Sequence, residues 1–333
     1  MNGYISVDNL NHINAELSNF CNSACPMCPR FDTNLNLIKD ITNNSHTSLN
    51  EIKNKIGKKI IAQLQHFRSC GNLGDGSMNP ECLQIYEYVK SVNRKTNLSL
   101  NTNGGARDLT FWKELGKLGV QVIFSIDGLE DTNHLYRRNV IWDKMLNNVK
   151  SFISAGGIAH WDFLIFKHNE HQVEGAEHLA NKLGFKSFQK KYTTRWDDFD
   201  SDGNFLQRSK IVVDNYVLEK SSHPRQNVHP GAVYKNNSVN NLLEKKIICN
   251  SCKNNNVEIY LHANGNVSPC CWLGDLKIHE SKNIIKDYKD VNIRYKTLEE
   301  ILNGNYFQSL WNGIKNVSGS YRLQTCLQTC GIS

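Results

Sequence analysis

Cys21, Cys25 and Cys28 lie in the run Phe20-Cys-Asn-Ser-Ala-Cys-Pro-Met-Cys-Pro-Arg30, a C-x3-C-x2-C spacing. Three thiols on one short loop can supply three thiolate ligands, and the loop carries no fourth. A structural zinc site closes with four Cys or His ligands, and an ordinary four-iron cluster takes four cysteines. Three ligands leave one metal position open for chemistry. The competing readings are a zinc loop completed by a distant ligand and three buried thiols.

Other segments carry groups suited to holding a ligand. In Gly71-Asn-Leu-Gly-Asp-Gly76 the glycines let a backbone approach a ligand, and Asp75 can accept from an ammonium group. A turn in which Asp75 caps a helix is the plain alternative. Asn101-Thr102-Asn103-Gly104-Gly105 and Ser125-Ile126-Asp127-Gly128 follow, the latter leading to His134-Leu-Tyr-Arg137-Arg138. An arginine fork matches a carboxylate, while Asp127 could simply cap the next turn. His168 and His171, three apart, could bind metal but more often serve in turns. Near the end come Cys249-Asn-Ser-Cys252, Cys270-Cys271 and Cys326-Leu-Gln-Thr-Cys330. Asn264-Gly265 is a favoured hairpin dipeptide and delivers Cys270 at G-x4-C spacing. Cys271 is expected to point elsewhere, because side chains alternate in an extended chain. A zinc ribbon is the rival reading of this cluster. Cys70 and Cys82 have no partners by spacing and read as buried thiols.

The Cys21 loop and the segments after it resemble the radical S-adenosylmethionine (SAM) superfamily. The C-terminal cysteines resemble its shortened auxiliary-cluster domain, called twitch and related to SPASM. The resemblance implies that Cys21, Cys25 and Cys28 hold a [4Fe–4S] cluster whose fourth iron binds the amino and carboxylate groups of SAM. Reduction then cleaves SAM to a 5′-deoxyadenosyl radical, hard chemistry that the cofactor carries. It places Gly74 and Asp75, standing where Gly-Gly-Glu or Gly-Glu-Pro is usual, at the methionyl amino group. It places Asn101, Thr102 and Asn103 near the ribose or methionine, and Ser125, with Asp127 in the same segment, at the ribose. Arg137, preferred to Arg138, pairs with the SAM carboxylate. Met27, at a position usually aromatic, lies near adenine, as does the His168 segment.

Six C-terminal cysteines fit one auxiliary [4Fe–4S] cluster rather than two. Its implied ligands are Cys249 or Cys252, with Cys270, Cys326 and Cys330. The implied reaction is removal of a hydrogen atom from a substrate, with the auxiliary cluster accepting an electron or anchoring that substrate. A peptide or protein side chain ranks first as substrate, and dehydrogenation of a small molecule second. An electron donor such as flavodoxin or ferredoxin is implied. The rival of another class is a non-catalytic iron–sulfur or zinc scaffold.

The elements that position these loops read as alternating strands and helices. Strands are expected at Ile13–Leu17, His66–Cys70, Leu98–Asn101, Val120–Ile126, His160–Phe166 and Lys186–Lys190. Helices are expected at Leu49–Gln65, Pro80–Val92, Leu109–Leu118, Asp143–Ala155 and Val173–Leu183. Such alternation implies parallel βα units, and six of them fit a partial (β/α)6 TIM-like barrel, also the radical SAM fold. The unusual loops fall at strand C-termini, where βα barrels keep their reactive groups. The expected organisation is a barrel over 1–190, a polar connector or lid with little regular structure over 191–245, and a small α+β twitch/SPASM-like domain over 246–333.

Composition bounds the rest. The chain has 333 residues, 39% of them hydrophobic, enough for a core. No apolar run approaches the roughly 20 residues of a membrane span. The first residues lack a basic and then apolar signal pattern. With eleven cysteines grouped near the two ends, metal ligation in a reducing cytoplasm is expected over disulfides. The net charge of +7 is spread over dispersed pairs such as Lys58-Lys59. It favours an anionic ligand without marking a nucleic-acid reader.

Overall fold

The computed structural model describes residues 5–32, 35–38, 45–193, 195–199, 205–224, 246–247, 256–274, 284–315, 323, 326–327 and 330–332. Its elements in chain order are β1 (His12–Ala15), α1 (Leu49–Glu51), a π-helical turn (Ile52–Ile56), α2 (Lys58–Gln63) and β2 (His66–Ser69). Next come α3 (Cys82–Val92), β3 (Asn97–Thr102), α4 (Leu109–Lys117), β4 (Gln121–Ser125), α5 (Asn133–Tyr136), α6 (Trp142–Ser154), β5 (Ile158–Leu164), α7 (Val173–Leu183) and β6 (Ser187–Lys191). Strands β7 (Asp197–Phe199), β8 (Phe205–Gln207), β9 (Lys210–Val213), β10 (Tyr216–Glu219), β11 (Lys246–Ile247), β12 (Glu258–Leu261) and β13 (Val267–Ser268) follow. The chain ends with α8 (Cys271–Gly274), α9 (Leu298–Leu302), α10 (Asn305–Lys315) and β14 (Gly331–Ile332). The six expected βα strands are all present, each within two residues of its expected ends.

Two compact units divide the chain. The first comprises Met1–Phe20, Asn44–Ser99 and Tyr234–Ser333; the second comprises Cys21–Asn43 and Leu100–Val233. In the first, the strands run in the order β13-β12-β1-β2 and then the start of β3. β1 pairs in parallel with both β2 and β12, and β12 turns back antiparallel into β13. The cross-strand rows alternate in character. Ile13, Phe67 and Ile259 form one apolar row, whereas His12, His66 and Glu258 form a polar one. Strand side chains alternate between faces, so one face carries the apolar core and the other carries polar groups. The expected helix over Leu49–Gln65 is broken. Gly57 sits at φ +84°, ending the π-helical turn and starting α2, a conformation that glycine adopts without a Cβ penalty. The apolar stripe survives the break, for Ile52, Ile56, Ile60 and Leu64 are all buried. A reciprocal capping box between Ser48 and Glu51 starts the segment.

The second unit runs from the end of β3 through β4, β5 and β6, with β4–β5 and β5–β6 parallel. Phe124 and Trp161 are register partners on its apolar face. There Phe124 packs 5.4 Å from Trp112 of α4 and 5.7 Å from Phe152 of α6, ring centre to ring centre. Helices α4 and α6 approach closely because Gly116 lacks a side chain: a Cβ there would lie 2.6 Å from the Phe152 carbonyl oxygen. The opposite face carries Ser125, Asp162 and Gln189 in register.

Within 191–245, expected to hold little regular structure, β7 pairs antiparallel with β8 and β9 pairs antiparallel with β10 in a hairpin. The β9–β10 hairpin turns at two residues, with Asp214 at φ +52°. Polar composition hid it, yet Leu218 is buried beside Trp196.

Removing the Phe124 ring is expected to cost about 3–5 kcal/mol, as large-to-small core substitutions do. A Phe124→Ala variant should therefore unfold at clearly lower urea; an unchanged midpoint would contradict this packing.

Candidate active site

The cysteine loop lies in the second unit and is built of tight turns. The Cys28 N–H donates to the Cys25 carbonyl and the Phe31 N–H to the Cys28 carbonyl. Arg30, only 4% exposed, holds the loop from within, its guanidinium donating to the carbonyls of Cys21 and Ser23 at 3.5 and 3.4 Å. Donors converge on the sulfurs. The Ser23 N–H and the Asn103 amide each reach Cys21 Sγ at 3.4 Å. Ser23 Oγ and Arg137 lie 3.0 and 3.6 Å from Cys25 Sγ. Burial, with the neighbouring Cys25, pushes the Cys28 thiol up to about 11, against the pull of the Arg30 N–H and of the Arg195 and Arg30 charges.

Strand ends bring the other groups in. After β3, Asn103 donates to Asn22 Oδ1 at 2.9 Å and accepts from the Gly105 N–H at 2.8 Å. A Cβ on Gly105 would come to 3.0 Å from Asn22 and Val140, so any side chain there would push these neighbours back. Thr102 Oγ1 accepts from the Gly104 N–H, and Asn101 is half-buried on β3. Ser125 ends β4, and two residues later Asp127 is fully buried. Its Oδ2 lies 2.6 Å from Arg137 Nε and its Oδ1 accepts from the Leu164 N–H at 2.6 Å. Burial pushes the Asp127 carboxyl up, and the Arg137 charge and the Leu164 N–H pull it back. Asp127 is thus a carboxylate seat for Arg137 rather than a turn cap. Arg138 points elsewhere, pairing with Asp214 of the β9–β10 turn.

Met27 is buried among Tyr136, Phe166, Trp196 and Leu218, an apolar cover that also includes Cys25. The Met27 carbonyl accepts from Arg195 at 3.2 Å. A cavity opens beside Cys28, lined by Met27, Phe31, Arg195 and Arg208 among others. Sequence reasoning passed over Asn22, Ser23, Arg30 and Trp196. The polar residues among them sit inside or next to the cysteine run, which is the one signal that could have found them.

Gly74 and Asp75 belong to the first unit. Asp75 Oδ1 accepts from Ser77 N–H and Oγ at 3.0 and 2.7 Å, so the capping turn weighed from sequence is present. A Cβ on Gly74 would fall 1.9 Å from the Ser18 carbonyl oxygen. In the C-terminal part, Gly265 takes φ +91° in the expected Asn264-Gly265 hairpin. Cys270 follows β13, but Cys271 begins α8 instead of continuing an extended chain. Cys326 is buried and Cys330 half-buried. Cys249 and Cys252 lie outside the described residues. Among the described residues no three His, Cys, Asp or Glu side chains group around a single ion. A cluster places each thiolate on its own iron, so its ligands need not meet at one point.

Two family models match: the radical SAM superfamily over residues 15–180, and an iron-sulfur cluster-binding domain, SPASM, over 249–331. The chain belongs to the radical SAM superfamily. Solved structures of similar fold include anSMEcpe with bound AdoMet, that is, SAM (15% identity, 97% of this chain and 89% of that one, TM-score 0.57). Streptococcus suis SuiB is another (13% identity, 95% and 77%, TM-score 0.56). SuiB bound to SAM matches over 80% of this chain and 61% of its own length, at 12% identity and TM-score 0.53. These likenesses show the fold, the parallel α/β architecture expected from sequence. No curated protein matches the chain. The two matched domains imply a [4Fe–4S] cluster, an auxiliary cluster and SAM. The donors aimed at Cys21 and Cys25 fit the first of these, since hydrogen bonds to sulfur stabilise and tune thiolate-held clusters. No helix among the described residues is long and apolar enough to cross a membrane.

His168, weighed as a metal ligand or an adenine contact, stacks on Phe166 and meets the Tyr216 edge. Neither ring nitrogen finds a hydrogen-bond partner among the described residues. Burial, with His171 and His134, lowers its pKa to about 4. The fold therefore holds this imidazole neutral. Its contribution to stability is complete above the unfolded value of 6.5 and is lost as pH falls from there toward 4. An NMR titration of His168 should give a midpoint near 4; a midpoint near 6.5 would contradict its burial.

Proposed function

We propose that this protein is a radical SAM enzyme that removes a hydrogen atom from a peptide or protein side chain. The observation carrying the reading is Arg137, seated on buried Asp127 and reaching Cys25 of the three-cysteine loop. When bound at Cys21, Cys25 and Cys28, the cluster supplies the electron that cleaves SAM to a 5′-deoxyadenosyl radical. Arg137 receives the SAM carboxylate, a role its planar fork suits, and Asp127 fixes that fork and keeps it charged. Asn103 spans Cys21 and Asn22 and presents the β3 end to the ribose or methionine, with Asn101 and Thr102 behind it. Ser125 faces the ribose. Met27, inside the Tyr136–Phe166–Trp196 cover, lies toward adenine and excludes water. Gly74 and Asp75 receive the methionyl ammonium through the turn they form.

The peptide or protein substrate is favoured because the similar folds include SuiB bound to its precursor peptide SuiA and anSMEcpe bound to peptides. Cys270, Cys326, Cys330 and one of Cys249 or Cys252 hold the auxiliary [4Fe–4S] cluster, which accepts an electron or anchors the substrate. The organisation follows as a barrel over 1–190, a polar connector or lid over 191–245 and an auxiliary domain over 246–333. A flavodoxin or ferredoxin in the cytoplasm is the electron donor. Small-molecule dehydrogenation is the second reading.

Arg137→Ala should leave the iron content unchanged and weaken SAM binding roughly ten- to a hundredfold, the loss of one charge-assisted contact. Changing Cys21, Cys25 and Cys28 to Ala should remove about half the iron, as expected for one of two such clusters, and abolish 5′-deoxyadenosine formation. Reductive SAM cleavage by the triple variant, or full SAM affinity without Arg137, would refute the reading.

A further inference from the structure

One buried carboxyl in the first unit has no part in the reading above. Glu16 follows β1 and is 1% exposed. Four donors surround its Oε1: the N–H groups of Asn72 at 2.5 Å and Leu73 at 3.2 Å, the Tyr260 hydroxyl at 2.9 Å and the Cys70 thiol at 3.2 Å. Its Oε2 has no hydrogen-bond partner among the described residues. Burying a carboxyl is expensive unless it is bonded, and this one is bonded almost wholly to a single loop and a single tyrosine.

The loop is Gly71–Gly76, and Glu16 is the first of several ties between it and residues 16–20. Gly74 packs directly on the Ser18 carbonyl and Asn19 Cα, too tightly for any Cβ. The Asp75 N–H donates to the Phe20 carbonyl at 2.9 Å. Residues 72–75 are therefore strapped, one after another, to the five residues that precede Cys21. Tyr260 brings in a third segment. It lies on β12, the strand that pairs with β1 and turns through Asn264-Gly265 toward Cys270. Its hydroxyl donates to Glu16 and accepts from the Asn72 side chain at 3.3 Å. Its ring is fixed by Gly274, where a Cβ would come within 2.2 Å of it.

We propose that Glu16 and Tyr260 are positioning residues for ligand binding at the Gly71–Gly76 loop. Glu16 holds the loop backbone in its receiving shape, and Tyr260 ties that shape to the hairpin leading to Cys270. This rests on the reading that the loop receives the SAM ammonium. The roles differ in chemistry. Glu16 serves as an acceptor at one oxygen, so an amide oxygen can replace it. Tyr260 serves through its hydroxyl, so phenylalanine keeps the packing and loses the tie.

Two measurements on the full chain test this: hydrogen exchange at the 71–76 amides of cluster-free protein, and SAM affinity of the reconstituted protein. Glu16→Ala should speed exchange at Asn72 and Leu73 at least tenfold and weaken SAM binding at least tenfold at unchanged iron content. Glu16→Gln should stay within threefold of wild type in both. Tyr260→Phe should fall between them, and it decides the matter if Glu16→Ala does not fold. Faster exchange with unchanged SAM affinity would overturn the positioning role, as would unchanged exchange in both Glu16→Ala and Tyr260→Phe. Failure of the wild-type protein to bind SAM at all would instead overturn the reading on which the proposal rests.

Discussion

The site in the second unit depends on one ion pair, Asp127 to Arg137 at 2.6 Å. Asp127 has no exposed surface on its side chain, and Arg137 has little. A buried carboxylate is tolerable only with a partner and further donors, and removing one member of such a pair costs about 3–5 kcal/mol. Here the second donor is the Leu164 N–H at the end of β5, and Asn169 holds the Asp127 carbonyl from the loop beyond. The arginine in turn lies over the Tyr136 ring and reaches Cys25. One pair therefore joins the ends of β4 and β5, the short helix α5 and the cysteine loop.

The cysteine loop itself is a problem in negative charge. Three thiolates close together repel, and burial, with the neighbouring Cys25, raises the Cys28 thiol pKa. Metal binding must displace those protons. The surroundings meet that demand with cations and N–H groups, namely Arg30, Arg137, Arg195, the Asn103 amide and the Ser23 N–H. The apolar cluster of Tyr136, Phe166, Trp196 and Leu218 packs around Cys25 and Met27 in the same place, and such low-polarity surroundings strengthen each of these interactions.

Much of this was legible in the sequence because the chemistry sits in local spacing. The cysteine run, Asn103 and the Ser125–Arg137 segment could be found from residue type and from their positions after apolar runs. Arg137 lies beside Cys25, whereas Arg138 is engaged by Asp214. What was hidden depends on distant partners or on single backbone angles. Glu16 meets Tyr260 across 244 residues of sequence, and no local pattern signals that. Gly57 sits inside a good helical stripe, and its positive φ, not its neighbours, breaks the helix. The β9–β10 hairpin reads as polar connector because only one of its faces is buried, against Met27 and Trp196. Cys271 departs from the alternation expected of a strand because β13 ends at Ser268 and a helix follows.

The central claim is that SAM binds through its amino and carboxylate groups at the cluster held by Cys21, Cys25 and Cys28. Electron–nuclear double resonance on the anaerobically reduced protein, mixed with SAM carrying 15N in its amino group, reads that contact directly. The expected result is a 15N coupling to the cluster spin that vanishes when unlabelled SAM replaces the labelled form. A reduced cluster that shows no such coupling, at SAM concentrations where binding is complete, would contradict it.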